Sequence, residues 1–317
     1  MIASLFGRSS LIASSLIASS ALLVSLGPSP TVVRRWNASG HMSIAAIAWT
    51  HMTPKARARA VALLKGAPAL AQLAELEPAE GTPAGREREL FLMAATWADR
   101  IRSTTVPSHV YNRASWHFTD NYWRQVDGRV EAVPELAPGA ENAIERLKLF
   151  ETEVASAPAD TTRSIALAWI LHLAGDVHQP LHLSSRVTAE NPTGDKGGNS
   201  FRLAGQPNNL HSLWDGALDM ADAVTSGSQS ARVDRLAGVA EAALPFTSVP
   251  AAKLTASLDA WGRESLDLAQ RELYPPTLHP GEPPPADYLQ RALKIAEERV
   301  ALAGYRLAAL LNRVLGG

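Results

Sequence analysis

The stretch His172-Leu-Ala-Gly-Asp176-Val-His178-Gln-Pro180-Leu-His182 concentrates three histidines and one aspartate within eleven positions. Residues four apart share one face of a helix, so His172 and Asp176 can bind the same ion. Pro180 is expected to end the helix, and the chain then turns back so that His182 can face a neighbouring site. The alternative is a polar helix end whose histidines form hydrogen bonds at the surface.

The composition limits what kind of metal site this stretch could build. The chain has 317 residues, of which 46% are apolar, enough for a sizeable core. Its 30 basic and 31 acidic residues give a net charge of −1, which excludes a generally basic nucleic-acid coat. The chain has nine histidines and no cysteine. The lack of cysteine excludes disulfides, thiolate zinc sites and iron–sulfur clusters. A metal site must therefore use His, Asp, Glu and backbone groups.

The N-terminal segment differs from the rest of the chain. Residues 1–35 contain three arginines and no acid, and Arg8 precedes an apolar, serine-rich run from Leu11 to Leu26. This pattern predicts a secretory signal peptide over 1–35 and a single domain over 36–317. The protein is then expected to be secreted or periplasmic. The alternative is an N-terminal membrane anchor that is retained.

Hydrophobic spacing predicts that the remaining chain is mostly helical and forms one all-α domain. The predicted helices are Pro54–Lys65, Arg86–Arg102, Asn142–Ser156, Thr162–Ala174, Val233–Ala243, Leu254–Ala269 and a long last helix from Leu289 to Val314. Strand signals are weak, and Phe201–Leu203 and Arg129–Val133 are the short candidates.

Five further motifs contain residues that suit a metal or phosphate site, and each is also compatible with an aromatic-rich core segment. They are Trp36-Asn-Ala-Ser-Gly40-His41, Trp97-Ala-Asp99-Arg100-Ile-Arg102, Ser115-Trp116-His117-Phe118-Thr119-Asp120, Gly197-Gly198-Asn199 and Asn209-Leu210-His211-Ser-Leu-Trp214-Asp215. His211 and Asp215 repeat the four-residue spacing, although about one such pair is expected by chance.

With these motifs in this order, the chain resembles the zinc-dependent single-strand-specific nucleases of the S1/P1 type over essentially all of residues 36–317. The resemblance implies an all-α, multi-helix domain of the phospholipase C and nuclease type, with three zinc ions in one cleft. A bacterial zinc-dependent phospholipase C shares this fold.

The resemblance also implies which residues bind each zinc ion. The first site would use Asp99, His117, His172 and Asp176. The second would use the Trp36 amine and carbonyl, His41 and a shared Asp176. The third would use His182, His211 and Asp215. The Trp36 amine is available only if cleavage occurs after Arg35, and the preceding residues are not the small ones that a signal peptidase prefers.

Other residues acquire roles through the same resemblance. Asp99 and Arg102 would be catalytic, with Arg102 meeting the phosphate where transition-state charge develops. Phe118 and Asp120 would flank a base pocket, and Asn199 would line the same region. Core packing is the alternative for Phe118. His178 is expected to support a ligand without binding the metal itself.

The expected function is that of an exported, zinc-dependent endonuclease that hydrolyses single-stranded DNA and RNA to products carrying 5′ phosphates, with 3′-nucleotides as a further substrate. We expect a monomer, since no protein partner is implied. One alternative is a phospholipase C on the same scaffold, for which a glutamate is expected where Asp215 stands. The other is a zinc-binding protein without catalysis.

Overall fold

The computed structural model describes Met1 and residues 38–222 and 227–316. Apart from Met1, the predicted signal peptide lies outside these residues, as does Trp36, so the boundary after residue 35 and the metal-binding role of Trp36 stay predictions.

The described residues form a mainly helical structure with one small sheet, which confirms the predicted fold class. The helices are α1 (Ala38–His51), α2 (Pro54–Lys65), α3 (Pro83–Ala94), α4 (Trp97–Arg100), α5 (Ala143–Ser156), α6 (Asp160–Asp176), α7 (Leu210–Asp215), α8 (Gln229–Ala243), α9 (Ala251–Leu254), α10 (Leu258–Leu268) and α11 (Ala286–Leu315). The strands are β1 (Tyr122–Val126), β2 (Arg129–Ala132) and β3 (Ser185–Arg186). No helix in the described part combines the length and hydropathy that a bilayer span requires.

Capping residues set the starts of several helices. The Thr53 hydroxyl accepts a hydrogen bond from the Ala56 amide, and α2 then begins at Pro54, as predicted. The Asn142 side chain accepts from two amides at the start of α5. These side chains replace the missing partners of the first helical N–H groups, so the helix starts are defined locally.

Two regions predicted as single helices are interrupted. The predicted helix Arg86–Arg102 is divided into α3 and α4, because the backbone leaves helical hydrogen bonding between Ala94 and Trp97. The predicted helix Leu254–Ala269 is also divided, because Ser257 caps a new helix by accepting from the Ala260 amide. The first interruption matters for function, since it places Asp99 on a short separate helix.

The sheet has the order β2-β1-β3. Strands β1 and β2 form an antiparallel hairpin, whose turn residues Asp127 and Gly128 have φ of 50° and 76°, as a tight Asp-Gly turn requires. The prediction at Arg129–Val133 is confirmed as β2. In contrast, Phe201–Leu203 forms only an isolated bridge, between Arg202 and Asn209.

Helix α1 lies in the centre of the core. All its residues from Ser39 to Ala48 are buried, and it packs against α11, α8 and α6. A Cβ atom at Gly304 of α11 would lie 2.6 Å from the Ile47 Cβ, so glycine allows the two helices to approach closely. This packing fixes α1, and with it His41, beside α6, which carries His172 and Asp176.

Candidate metal centre

A cleft of about 370 Å³ brings together most of the residues that the sequence motifs single out. The predicted site residues that line it are His41, Asp99, Arg102, His117, Phe118, Asp120, Asp176, His182, Asn199, His211 and Asp215. The lining residues that were not predicted are Ala114, Leu181, Lys196, Gly197, Asn209 and Ser212. Six separated motifs therefore converge on one cavity.

Asp176, the last residue of α6, is the centre of the first ligand cluster. Its Oδ2 atom lies 3.0 Å from His117 Nδ1 and 3.2 Å from His172 Nε2. Its Oδ1 atom lies 3.5 Å from His41 Nε2 and 3.6 Å from His182 Nδ1. One buried carboxylate thus contacts imidazoles from four different segments, as a bridging ligand would.

The cleft contains three groups of side chains whose ligand atoms lie within 4.8 Å of one another. The groups are His41, His172 and Asp176; Asp99, His117 and His172; and His182, His211 and Asp215. Two of these groups share His172, and Asp176 contacts members of both, so they are neighbours. The groups contain the residues of the three predicted sites apart from Trp36, but the first two groups share His172, whereas the predicted sites share Asp176. Which residue binds which ion stays a prediction.

Helix α6 orients the first two groups. His172 and Asp176 lie one turn apart on it, and the His172 Nδ1–H group donates to the Ala95 carbonyl at 2.8 Å, in the break between α3 and α4. The His41 ring stacks on the His172 ring, with centroids 3.9 Å apart. Gly175 is required here, because a Cβ atom would lie 2.6 Å from His41 Nδ1.

The third group is held by backbone carbonyls. His182 donates through Nδ1 to the His117 carbonyl, and His211 donates through Nδ1 to the Gly197 carbonyl, both at 2.7 Å. Each ring therefore keeps its Nε2 atom available for a metal ion. Gly197 has φ of 61°, and a Cβ there would lie 2.4 Å from the Leu181 carbonyl oxygen, so a larger residue would displace this carbonyl.

Gln179 supports the third group, and sequence reasoning missed it. Its side chain is fully buried; Nε2 donates to Asp215 Oδ1 at 2.8 Å, and Oε1 accepts from the Leu181 amide at 2.6 Å. The available signal was its position inside the histidine-rich stretch, two residues before Leu181 and three before His182. Gln179 thus fixes one oxygen of Asp215 and leaves the other free.

The electrostatics of the cleft favour a bound cation. Burial lowers the pKa of both His172 and His182, but the neighbouring carboxylates, with Asp176 the strongest, together with hydrogen bonds outweigh burial and raise each pKa to about 9. Burial opposes ionisation of Asp176, yet these histidines hold its pKa well below the usual range. Burial and the neighbouring His172 lower the pKa of His41 to about 3. The carboxylates therefore attract positive charge, which a metal ion would supply in place of protons.

The unpaired polar atoms fit a metal ion as well. Asp215 Oδ2 is buried and forms no hydrogen bond with the described residues, although it lies 3.4 Å from His211 Nε2. A buried carboxylate oxygen without a partner is costly unless it coordinates a cation. Imidazole nitrogens with carboxylate oxygens are a ligand set that zinc accepts. The residues present thus fit zinc.

The residues predicted to contact substrate lie at the edge of the cleft. Arg102 and Asp99 are partly exposed, with Nη1 and Oδ1 3.5 Å apart. Phe118 is 39% exposed, which disagrees with the alternative of core packing. Burial, together with the charge of Asp195, raises the pKa of the Asp120 carboxyl.

His178 contacts other parts of the core. Its Nδ1–H group donates to the Ala174 carbonyl at 2.7 Å, and its Nε2 atom accepts from Arg306 at 3.1 Å. The ring packs against Trp261. Both ring nitrogens therefore bond to partners outside the ligand groups. His178 was expected to support a metal ligand; among the described residues, Gln179 has such a contact, through its hydrogen bond to Asp215.

Comparison with known proteins agrees with this geometry. The S1/P1 Nuclease family matches residues 36–316. The chain is 27% identical to Endonuclease 2 of Arabidopsis thaliana over 303 residues, which cover 90% of this chain and 92% of the relative. Endonuclease 4 of the same plant is 32% identical over 157 residues, which cover 47% of this chain and 50% of that protein. Endonuclease 5 is 31% identical over 159 residues, with the same coverage of both chains. The chain spans about half the length of these last two relatives. Because the family match covers most of its length, the chain belongs to the S1/P1 nuclease family, whose members hydrolyse phosphodiester bonds.

Proposed function

We propose that this protein is a zinc-dependent endonuclease that cuts single-stranded DNA and RNA into products with 5′ phosphates, and that it also accepts 3′-nucleotides. The observation that carries this proposal is the convergence of three His and Asp groups in one cleft, beside an exposed aromatic ring. Family membership and the names of the plant relatives support the endonuclease part of this proposal.

The proposed zinc ligands are the members of the three groups described above together with Trp36, divided among three ions. Asp99, His117, His172 and Asp176 would hold one ion; His41, Asp176 and Trp36 a second; and His182, His211 and Asp215 a third. Zinc bound in such sites lowers the pKa of water and stabilises developing charge on phosphate oxygens. The absence of cysteine is compatible with this choice, because catalytic zinc accepts sites built only from nitrogen and oxygen ligands.

Asp99 and Arg102 are proposed to act together on the scissile phosphate. The guanidinium group lies at the cleft, and its contact with Asp99 is long, at 3.5 Å, so it can turn to a phosphate without breaking a short ion pair. A guanidinium donates parallel hydrogen bonds to phosphate oxygens, and such charge-assisted bonds strengthen as charge accumulates there.

The preference for single strands is proposed to come from Phe118. Its exposed face borders the cleft, beside Asp120, whose carboxyl can accept a hydrogen bond from a base edge. Stacking of an unpaired base on an aromatic ring contributes about 1–3 kcal/mol. Bases within a duplex are stacked on each other, so they cannot use this surface without first being unpaired.

Export is proposed on the sequence of residues 1–35, which has a basic residue followed by an apolar run. Zinc binding by Trp36 requires that residue 36 becomes the N-terminus, because a free α-amine can lose its proton near neutral pH whereas a peptide nitrogen does not readily do so. N-terminal sequencing of the secreted protein tests this part. A terminus elsewhere than residue 36 would remove Trp36 from the second site.

The catalytic proposal is tested with the mature protein and five substrates: single-stranded DNA, single-stranded RNA, duplex DNA, a 3′-nucleotide and phosphatidylcholine. We expect cleavage of both single strands, slower cleavage of the duplex, and loss of activity with a chelator that is reversed by zinc. Activity that survives complete zinc removal would refute the mechanism. Cleavage of the lipid without cleavage of nucleic acid would select phospholipase C instead.

A further inference from the structure

Lys196 is a positively charged residue that lines the cleft and that was not predicted as a site residue. Arg102 and Lys196 are the cleft-lining residues with permanent positive charge, and Arg102 faces Asp99. The Lys196 side chain is exposed, and its ammonium group forms no ion pair or hydrogen bond with the residues that the structure describes. It is therefore available to an anion that enters the cleft.

The backbone of Lys196 is fixed in an unusual conformation. Its φ of 56° lies in the left-handed region, which costs a residue other than glycine on the order of 1 kcal/mol. Its amide donates to Ser185 Oγ at 3.2 Å, and its carbonyl accepts from Asn199 Nδ2 at 2.8 Å. Bonds on both sides of the residue thus hold a strained conformation, which is typical of functional positions.

The neighbouring residues connect this position to the third ligand group. The preceding Asp195 is buried and accepts from the Tyr274 hydroxyl at 2.6 Å. The following Gly197 presents its carbonyl to His211. Lys196 therefore lies beside the third group, whereas Arg102 lies beside Asp99 in the group that contains His117 and His172.

A phosphate is the anion that suits this position. The acidic lining residues are Asp99, Asp120, Asp176 and Asp215, and none of them forms an ion pair with Lys196. A lysine on a flexible stem binds phosphate as a point charge and adapts to a mobile backbone. A nucleic-acid strand that extends along the cleft would offer one phosphate to Arg102 and a different one to Lys196.

We propose that Lys196 binds a phosphate adjacent to the one that is hydrolysed, so that a polynucleotide strand is bound more tightly than a substrate with a single phosphate. The inference rests on the proposed nuclease function and identifies how that site prefers chains over short substrates. Lys196 is a specificity-determining residue in this proposal, and it does not take part in bond cleavage.

The test compares Lys196→Met, which keeps the stem and removes the charge, with Lys196→Arg, which keeps the charge. Lys55→Met is the matched control, because Lys55 is exposed on α2 and does not line the cleft. Two substrates are used: a dinucleoside monophosphate, which has only the scissile phosphate, and a longer single-stranded oligonucleotide. Binding of a phosphorothioate oligonucleotide that resists cleavage is measured over a range of salt concentrations.

We expect Lys196→Met to raise the oligonucleotide KM about tenfold, as for the loss of one hydrogen bond to a charged group, with little change in kcat. Cleavage of the dinucleoside monophosphate should be unchanged. In a plot of log binding constant against log salt concentration, the magnitude of the negative slope should become smaller by about 0.7, the value for one phosphate contact with a single strand. Lys196→Arg should restore most of the affinity, and Lys55→Met should behave as wild type.

Three results would overturn the proposal. These are an unchanged salt slope in Lys196→Met, an equal loss on both substrates, and failure of Lys196→Arg to restore binding. An equal loss would mean that Lys196 acts at the scissile phosphate or maintains the loop. If the wild-type protein binds oligonucleotide but cleaves none, the proposed function fails, while the binding slopes still decide the role of Lys196.

Discussion

Replacing Gln179 with leucine removes support from a candidate zinc ligand and leaves every candidate ligand in place. In the structure, Gln179 Nε2 donates to Asp215 Oδ1 at 2.8 Å, and both side chains are buried. Leucine is close in volume but cannot donate. Asp215 would then lose the bond that fixes one of its oxygens, and the third group should bind zinc more weakly.

The size of the effect follows from the charge on Asp215. A hydrogen bond to an ionised group contributes about 1.5–3 kcal/mol. At about 1.4 kcal/mol per tenfold change, the loss corresponds to roughly 10- to 100-fold weaker zinc binding. The same range is typical when an outer hydrogen-bond partner of a metal ligand is removed. The Gln179 side chain bonds to Asp215 and the Leu181 amide, and its backbone bond to the Asp176 carbonyl is kept in the variant, so the affinity of the other two groups should not change.

The assay is competition between the protein and a chelator of known affinity, with zinc content measured by elemental analysis. The variant should release one zinc equivalent at a lower chelator concentration than wild type, while the remaining zinc is retained. Tyr305→Phe is the control, since it removes a hydrogen bond of 2.9 Å to the Leu244 carbonyl, away from the cleft, and keeps the ring. Circular dichroism verifies that both variants are folded.

Two outcomes would contradict this reasoning. If folded Gln179→Leu retains wild-type affinity for all its zinc, the hydrogen bond to Asp215 does not position a ligand. If Tyr305→Phe loses zinc to the same degree, the effect reflects general destabilisation of the fold and not the loss of one bond in the third group.

Three further predictions concern the same cleft. Asp176→Ala should lose more than one zinc equivalent, because the carboxylate contacts members of more than one ligand group; elemental analysis that shows only one lost equivalent would argue against a bridge. Metal-free protein should become less stable between pH 6.5 and pH 9. The pKa of His172 and of His182 is about 9 in the folded state and near 6.5 in the unfolded state. Their contribution to the free energy of unfolding is therefore complete below pH 6.5 and lost above pH 9. A melting temperature that rises across this range would contradict it. Phe118→Ala should lower kcat/KM on single strands roughly 5- to 150-fold through lost stacking of about 1–3 kcal/mol, with little effect on duplex cleavage; an equal loss on both substrates would disprove a role in strand preference.

Helices with one apolar face and a local cap were predictable from the sequence. The bounds of α2 agree with the prediction, and those of α5 differ by one residue, because Thr53 and Asn142 cap them. In contrast, α1 was not predicted. Its residues are buried on all sides, so no alternation of polar and apolar residues marks a face. Strand β1 was missed because most of its residues are exposed and its stability comes from pairing with β2.

The candidate site was predictable to the extent that ordered motifs carry it. Spacing alone indicated only the pairs within a helix turn, such as His172 with Asp176. The convergence of Asp99 and His41 on that pair depends on a helix break and a helix crossing, neither of which has a local sequence signal. Gln179 and Lys196 were missed for a similar reason, since their importance comes from tertiary neighbours.

The packing of α1 against α11 has a consequence for synthesis of the chain. Ile47 contacts Gly304, and the His51 ring packs edge-on against Tyr305. The first described helix, α1, is therefore packed directly against the last one, α11. Contacts between such distant residues must close a long loop, which is slow and entropically costly. His41 lies on α1. A ribosome that stopped before α11 would therefore release a polypeptide that contains every ligand motif but lacks the helix with which α1, and so His41, makes its most extensive contact.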